Sequence, residues 1–145
     1  MKFEILEDGY LFFTNKIYLL DDESNISSFL KEMFLSISDV YSIELYGYFK
    51  VDIYIDGKIG IFVEMKKMDD YISYGKKIDT KVAVFDRSFY LKTNDLSLIY
   101  RYRPIYYLND NYYISTEDVD NIFELLDFCE IEYKNIDLNK FKCLI

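Results

Sequence analysis

Carboxylates are the most abundant reactive side chains in this sequence, and two groups of them are closely spaced. Asp69 and Asp70 are adjacent, and Glu117, Asp118 and Asp120 fall between positions 117 and 120. Carboxylate oxygens are the ligands that Mg²⁺ and Ca²⁺ prefer, but neither group matches the spacing of a known metal-binding loop. Acids in the first turn of a helix are also favoured by the helix dipole. We therefore predict no metal site and no cofactor.

The sequence contains no histidine, which removes the commonest general base, the commonest metal ligand and the usual partner of a nucleophilic Ser or Cys. Its five glycines are scattered and form no phosphate-binding loop. Cys129 and Cys143 form no CxxC motif and lie in apolar stretches, so we expect both to be reduced and mostly buried. We predict a non-catalytic protein. An enzyme that uses Lys and carboxylates remains an alternative, because pKa shifts caused by burial cannot be read from a sequence.

Tyrosines crowd the stretch YRYRPIYYLNDNYYIS, residues 100–115. Successive side chains of a strand point to opposite faces, so some of these rings must line a core while others face outward. A tyrosine suits both positions, because its ring packs against apolar groups while its hydroxyl reaches water. We select Tyr102, Tyr106 and Tyr112 as candidates for the outward set that contacts a partner.

Two amphipathic helices are predicted, over about residues 24–37 and 116–128. In the first, apolar residues recur with the spacing of one helix face, and Ser24 is placed to cap its start. The second begins at Ser115 or Thr116. Its apolar stripe consists of Val119, Ile122, Phe123, Leu126 and Cys129.

Alternating apolar residues and turn sequences predict three hairpins. The clearest spans YFKVDIYIDGKIGIFVEM, where a loop of Ile55, Asp56 and a left-handed Gly57 places all the apolar residues on one face. The predicted buried face is Phe49, Val51, Ile53, Ile59, Ile61 and Val63. The other two hairpins are predicted to turn at Asp86-Arg87 and at Asn109-Asp110.

Together these elements predict an α+β fold, a mainly antiparallel sheet built from several hairpins with the two principal helices packed on it. A chain of 145 residues suits a single compact domain over residues 1–145. The apolar runs are shorter than the roughly 18 residues that span a bilayer, and the N-terminus lacks the apolar core of a signal peptide. We therefore expect a soluble cytoplasmic protein without a membrane partner.

The net charge of −9 disfavours binding to the phosphates of duplex nucleic acid and favours a protein partner with a basic surface. Small, acidic, Tyr-rich chains without catalytic residues include immunity proteins and phage anti-defence proteins, a likeness of class and not of motif. The favoured hypothesis is a non-catalytic, protein-binding regulator or inhibitor that occludes such a surface, with carboxylates that steer and aromatic rings that anchor. The candidate residues are Asp21, Asp22, Glu23, Tyr54, Phe62, Tyr102, Tyr106, Tyr112, Glu117, Asp118 and Asp120.

Two further hypotheses stay open. A host adaptor or self-assembling subunit would use exposed strand edges, or the outer hairpin face around Tyr54 and Phe62, to pair with another chain or a copy of itself. A single-stranded nucleic-acid-binding module would use residues 66–103, where nine Lys and Arg stand against five Asp and Glu. Cations interleaved with aromatic rings are typical of such modules.

Overall fold

The computed structural model of this protein describes residues 2–16, 18–43, 45, 47–68, 78–134, 137 and 140–143. The chain divides into two compact units, the first made of Met1–Ile53 and Gly60–Phe85 and the second of Tyr54–Ile59 and Asp86–Ile145. In the described residues, two antiparallel-rich sheets and one long helix give the mixed α+β content that the sequence predicts, but the single sheet that was predicted is divided into two. The single domain over residues 1–145 stays a prediction. Asp69 and Asp70 lie outside the described residues.

A five-stranded sheet lies mostly in the first unit, while the last residues of two of its strands, Tyr54–Asp56 and Asp86, belong to the second unit. The strands of this sheet are β1 (Lys2–Ile5), β2 (Gly9–Thr14), β3 (Gly47–Asp56), β4 (Gly60–Lys67) and β5 (Ile78–Asp86), in the spatial order β1-β2-β4-β3-β5. The pairing of β2 with both β1 and β4 is antiparallel. The predicted buried face of the β3–β4 hairpin is confirmed, since all six of its apolar side chains are at most 4% exposed. Alternation of apolar residues was sufficient to assign that face.

The loop of this hairpin differs from the predicted one. The turn occupies residues 57–59, and the glycine with a positive φ is Gly60, at 137°, not Gly57. A Cβ at Gly60 would lie 2.2 Å from the carbonyl oxygen of Thr14, whereas a Cβ at Gly57 would meet no atom within 4 Å. Both the backbone conformation and the close approach require a residue without a side chain, so Gly60 is the position on which the hairpin depends.

The helix of the first unit, α1, spans Glu23–Tyr41 and is longer than the predicted 24–37. Its N-cap is Asp22 and not Ser24, because Asp22 Oδ1 accepts a hydrogen bond from the backbone N–H of Asn25 at 2.8 Å. A carboxylate in this position satisfies an otherwise unpaired N–H group and complements the helix dipole. The buried side chains of α1 are Phe29, Leu30, Met33 and Ile37.

The second unit contains the other five-stranded sheet. Its strands are β6 (Tyr90–Thr93), β7 (Tyr106–Leu108), β8 (Asn111–Ser115), β9 (Glu130–Glu132) and β10 (Lys142–Cys143), in the order β10-β7-β8-β6-β9 with antiparallel pairing. The hairpin predicted at Asn109-Asp110 is confirmed. Both residues have a positive φ, at 50° and 65°, as the two-residue turn that suits twisted strands requires.

The hairpin predicted at Asp86-Arg87 is wrong. Strand β5 belongs to the first sheet, whereas β6 belongs to the second and pairs with β8 and β9. The intervening backbone is bonded elsewhere, since the N–H of Arg87 donates to the carbonyl oxygen of Ile55 and the N–H of Phe89 donates to Asp56 Oδ2. These bonds direct the chain away from a tight turn.

The second predicted helix, over 116–128, is broken into two short pieces. A 3-10 turn at Thr116–Asp118 is followed by α2 (Phe123–Leu126), and Val119 between them is extended, with φ −112° and ψ 118°. The N–H of Val119 closes the 3-10 turn by donating to the carbonyl oxygen of Thr116 at 3.3 Å. The Nζ atom of Lys58 also donates to the carbonyl oxygens of Thr116, Glu117 and Val119, which a continued helix would pair with its own N–H groups. The break changes which residues face inward: Leu125 is buried, whereas Phe123 is 74% exposed.

The two cysteines do not form a disulfide. Cys129 is half-buried, and burial raises the pKa of its thiol. Cys143 is exposed, so the prediction that both cysteines are mostly buried is wrong for this residue. It lies in β10, at the edge of the second sheet.

Candidate functional site

Asp56, at the end of β3, is a buried carboxylate that joins three segments of the second unit. It is 3% exposed. Its Oδ1 atom accepts hydrogen bonds from the backbone N–H groups of Lys58 at 2.7 Å and Ile59 at 3.1 Å. Its Oδ2 atom accepts from the N–H of Phe89 at 2.7 Å and from the hydroxyl of Thr116 at 2.5 Å. Burying a carboxylate is costly unless its oxygens are hydrogen-bonded, and these four donors meet that requirement.

Lys58, two residues further along, holds the chain that follows Thr116. Its Nζ atom donates to the carbonyl oxygens of Thr116 at 3.0 Å, Glu117 at 3.3 Å and Val119 at 3.1 Å. An ammonium group has three donors and no acceptor, so these three bonds use its full capacity. We call residues 117–120 the acidic turn. Its backbone is therefore fixed by side chains about 60 residues earlier in the sequence.

The carboxylates of the acidic turn point to solvent. Glu117, Asp118 and Asp120 are exposed, while Val119 between them is fully buried and anchors the turn from inside. Glu117 accepts a hydrogen bond from the hydroxyl of Ser88 at 2.7 Å. Among the residues that the structure describes, neither Asp118 nor Asp120 forms an ion pair. The structure thus presents the three predicted acids together, on a backbone held by side-chain hydrogen bonds.

The other predicted acidic group, Asp21, Asp22 and Glu23, lies at the start of α1 in the first unit. All three side chains are exposed. Asp22 caps the helix, and Asp21 Oδ1 accepts a hydrogen bond from the side-chain amide of Asn25 at 2.7 Å. Helix capping occupies Asp22 and the Asn25 side chain occupies Asp21, which makes this group a weaker candidate for binding than the acidic turn.

The strand register decides which tyrosines share a surface. Tyr106 pairs with Tyr113 and Tyr107 pairs with Tyr112 across β7 and β8, and directly opposite residues point to the same face. Tyr106 and Tyr112, both predicted to contact a partner, therefore lie on opposite faces of the second sheet. Each is half-buried.

The remaining aromatic candidates are covered to different degrees. Tyr54 and Tyr102 are only 7% and 9% exposed, so the prediction that they present outward rings is wrong. The Tyr54 ring packs edge-on against Tyr133, with centroids 5.2 Å apart. Phe62 is half-exposed and its ring lies 4.5 Å from that of Phe13 across the β2–β4 pair. These rings mainly serve packing.

Tyr90, Tyr113 and Tyr106 share one face of the second sheet with Phe141. The ring centroids of Tyr90 and Tyr106 are 6.4 Å apart, and those of Tyr113 and Phe141 are 4.8 Å apart. Burial raises the pKa of Tyr90 and of Tyr113 above the ordinary tyrosine value. Glu117 and Asp118 of the acidic turn also raise the pKa of Tyr90, which indicates that this ring lies within the field of the turn.

Two exposed phenylalanines follow the acidic turn, and the sequence pattern did not predict that they lie at the surface. Phe123 is 74% exposed and Phe128 is 66% exposed. The segment from 116 to 130 also carries six Asp and Glu and no Lys or Arg, a bias that is visible in the sequence. The exposure of Phe123 was not visible there, because it depends on the helix break at Val119.

Grooves are also present on both units. In the first unit, an apolar groove of about 940 Å³ lies between α1 and the edge strand β5. In the second unit, a shallow and more polar groove of about 390 Å³ lies beside Phe128. Across the described ranges, no three His, Cys, Asp or Glu side chains are placed to hold a metal ion together.

Comparisons of the chain with protein-family models, with curated proteins and with solved structures found no match. In the part of the chain that the structure describes, no helix has the length and apolar character needed to cross a membrane.

Proposed function

We propose that this protein is a non-catalytic, acidic regulator or inhibitor that uses the acidic turn to occlude a basic surface of a partner protein. The observation that supports this proposal is the presentation of Glu117, Asp118 and Asp120 on a backbone held by Asp56 and Lys58. A turn that is already ordered loses little conformational entropy when it binds, so more of the interaction energy appears as affinity.

Electrostatics gives the proposal its mechanism. The net charge of −9 raises the rate at which a basic partner is encountered, and the acidic turn supplies a defined point of contact. By this mechanism, an immunity-protein-like or phage anti-defence-like inhibitor would cover a basic surface of its target that faces nucleic acid. Salt screens such attraction over a Debye length of about 10 Å at 0.1 M, so association should slow as salt is added.

The single-stranded nucleic-acid alternative has less support, because several cations of residues 66–103 are engaged by the protein itself. Arg101 forms an ion pair with Glu124 at 3.0 Å, and Lys66 forms one with Asp8 at 3.5 Å. The guanidinium of Arg103 donates to backbone carbonyl oxygens of the preceding turn.

A second candidate function is that of an adaptor or self-assembling subunit. Strand β5 is nine residues long, lies at the edge of its sheet and adjoins the apolar groove along α1. An edge strand of this kind can pair with another chain. Light scattering tests self-assembly: a mass that stays monomeric at all protein concentrations would exclude it.

The acidic turn is tested by replacing its charges without changing its shape. The variant carries Glu117→Gln, Asp118→Asn and Asp120→Asn, and it is used with the wild type to capture proteins from a nuclease-treated lysate of the source cells. We expect the wild type to retain a protein in low salt and to release it as the salt concentration rises. The variant should retain at least about ten-fold less of that protein, because charge pairs at interfaces contribute roughly 1.5 kcal/mol or more to binding.

A matched control removes the same number of charges from exposed positions of the first unit, Glu4→Gln, Glu7→Gln and Asp39→Asn. This control should capture the same protein as the wild type. Equal losses in both variants would show that only net charge matters, and undiminished capture by the acidic-turn variant would refute the proposal. Association rates that do not change between low and about 0.5 M salt would refute the steering mechanism.

A further inference from the structure

The polar groove of the second unit lies where the ends of β6 and β8 meet the residues that follow α2. Its volume is about 390 Å³, enough for a single extended side chain. The residues that line it are Lys92, Thr93, Asn94, Asn111, Asp127, Phe128, Cys129 and Glu130. Aromatic, amide and carboxylate groups therefore converge on one small space.

The aromatic wall of the groove is Phe128. Its side chain is 66% exposed, and no ring or cation packs on it among the residues that the structure describes. A phenylalanine in water gains nothing for stability, because its apolar surface is not removed from solvent. An aromatic face in a cleft can instead receive a flat or cationic group.

The groove has more negative than positive charge. The carboxylate of Asp127 forms no hydrogen bond or ion pair with the described part of the chain, and Glu130 belongs to the same lining. The only lysine of the lining, Lys92, is shared between Glu130 and Glu132, with distances of 3.5 Å to each. A cation entering the groove would thus find an unpaired carboxylate, while an anion would meet repulsion.

The amides complete a set of acceptors. The side-chain N–H₂ of Asn111 donates to the carbonyl oxygen of Asn109 at 3.1 Å, which leaves its Oδ1 atom as an acceptor. Asn94 lies in the same lining. Acceptors, a carboxylate and an aromatic face together suit a group that is planar, cationic and rich in N–H donors.

We propose that this groove receives the guanidinium group of an arginine side chain on the partner protein. The existence of that partner rests on the proposed function. The guanidinium stacks on Phe128 and donates to Asp127 and to the amide oxygens. Arginine suits these groups better than lysine, because its planar fork pairs with a carboxylate and packs flat on an aromatic ring.

A second copy of this chain is a poor source of that arginine. The chain has three arginines, and two of them are already bonded, Arg101 to Glu124 and Arg103 to backbone carbonyl oxygens. The third, Arg87, is half-buried. A symmetric contact would also bring identical acidic segments against each other, which costs free energy.

The test uses N-acetyl-L-arginine amide as the probe and NMR chemical shifts of the full chain as the readout. We compare the wild type with Phe128→Leu and with Phe123→Leu, a matched change at an equally exposed ring of the same segment. The probe should shift the groove resonances of the wild type and bind Phe128→Leu about two- to five-fold more weakly, as the loss of an exposed cation–π contact predicts. Phe123→Leu should bind like the wild type, and N-acetyl-L-lysine amide should bind more weakly than the arginine probe.

Equal weakening in both variants, or shifts centred on the acidic turn instead of the groove, would overturn the inference. Both variants are exposed substitutions, and an unchanged amide spectrum without probe verifies their fold. The capture experiment separates the two proposals. If the acidic-turn variant loses the partner while Phe128→Leu retains it fully, the groove inference is wrong and the proposed function stands. If no protein is captured although the probe fills the groove, the proposed function is wrong and the guanidinium chemistry of the groove stands.

Discussion

Replacing Asp56 by Ala should remove the support of the acidic turn and destabilise the second unit. The carboxylate accepts four hydrogen bonds, and the N–H groups of Ile59 and Phe89 among its donors are buried. Without it these two N–H groups have no acceptor at their observed positions. An unsatisfied buried donor costs about 1–3 kcal/mol, so the two amides together cost about 2–6 kcal/mol.

Part of this loss is offset, because the substitution also removes the free-energy cost of burying a carboxylate. We therefore expect the free energy of unfolding to fall by about 2–4 kcal/mol, a large fraction of the roughly 5–15 kcal/mol typical of a folded protein. Asp56→Asn should lose less, since it keeps one oxygen for the turn amides and loses the acceptor that serves Phe89 and Thr116.

The assay is urea unfolding followed by far-UV circular dichroism and tyrosine fluorescence, since the chain has 16 Tyr and no Trp. Asp120→Ala is the control, an exposed carboxylate of the same unit, and it should change stability by less than about 0.5 kcal/mol. Hydrogen exchange at the Phe89 amide gives a local readout and should accelerate only in the Asp56 variants. If Asp56→Ala and Asp120→Ala unfold alike, or if exchange at Phe89 is unchanged, the assignment of this carboxylate as the support of the turn is wrong.

Three further predictions concern the backbone, the helix start and the alkaline limit. Gly60→Ala should lower the free energy of unfolding by about 1–3 kcal/mol through strain at its positive φ. Gly57→Ala should leave the free energy of unfolding unchanged or raise it slightly, as measured by urea unfolding. Similar losses of stability at both positions would contradict this prediction. Asp22→Ala should lower the thermal midpoint through the loss of about 1 kcal/mol of capping, and Ser24→Ala should not. Burial raises the pKa of Tyr90 in the folded chain, so its hydroxyl proton is lost at a lower pH in the unfolded chain than in the folded one. The free energy of unfolding therefore falls as the pH rises above about 10. Tyr90→Phe should lessen that fall, and an identical pH profile would refute the burial argument.

The faces of the strands could be predicted from the sequence, but the partners of the strands could not. The alternation in β3 and β4 identified the buried face of the hairpin because a strand has a period of two and a one-residue shift would expose every apolar side chain. The alternation in β5 and β6 was equally clear, yet these strands belong to different sheets. Periodicity reports burial, whereas pairing depends on contacts distant in sequence.

The candidate site likewise has features that could be predicted from the sequence and features that could not. The exposed acids of the acidic turn were predictable from composition, since charged residues in a short segment remain at the surface. The side chains that position them were not, because the bond from Thr116 to Asp56 spans 60 residues. That long-range contact, with the bonds from Lys58, also explains why residues 116–128 do not continue as one helix and why Phe123 is exposed.

In the acidic turn, the residues that support the backbone are different from the residues whose side chains are exposed. Its backbone is held by Asp56 and Lys58, while the side chains of Asp118 and Asp120 form no ion pair within the described ranges. Substitutions at the displayed positions therefore change the surface at little cost to folding, whereas substitutions at the supporting positions remove hydrogen bonds that hold the backbone of the turn. Under the proposed function, the surface that contacts the partner can change by substitution while the backbone of the turn is kept.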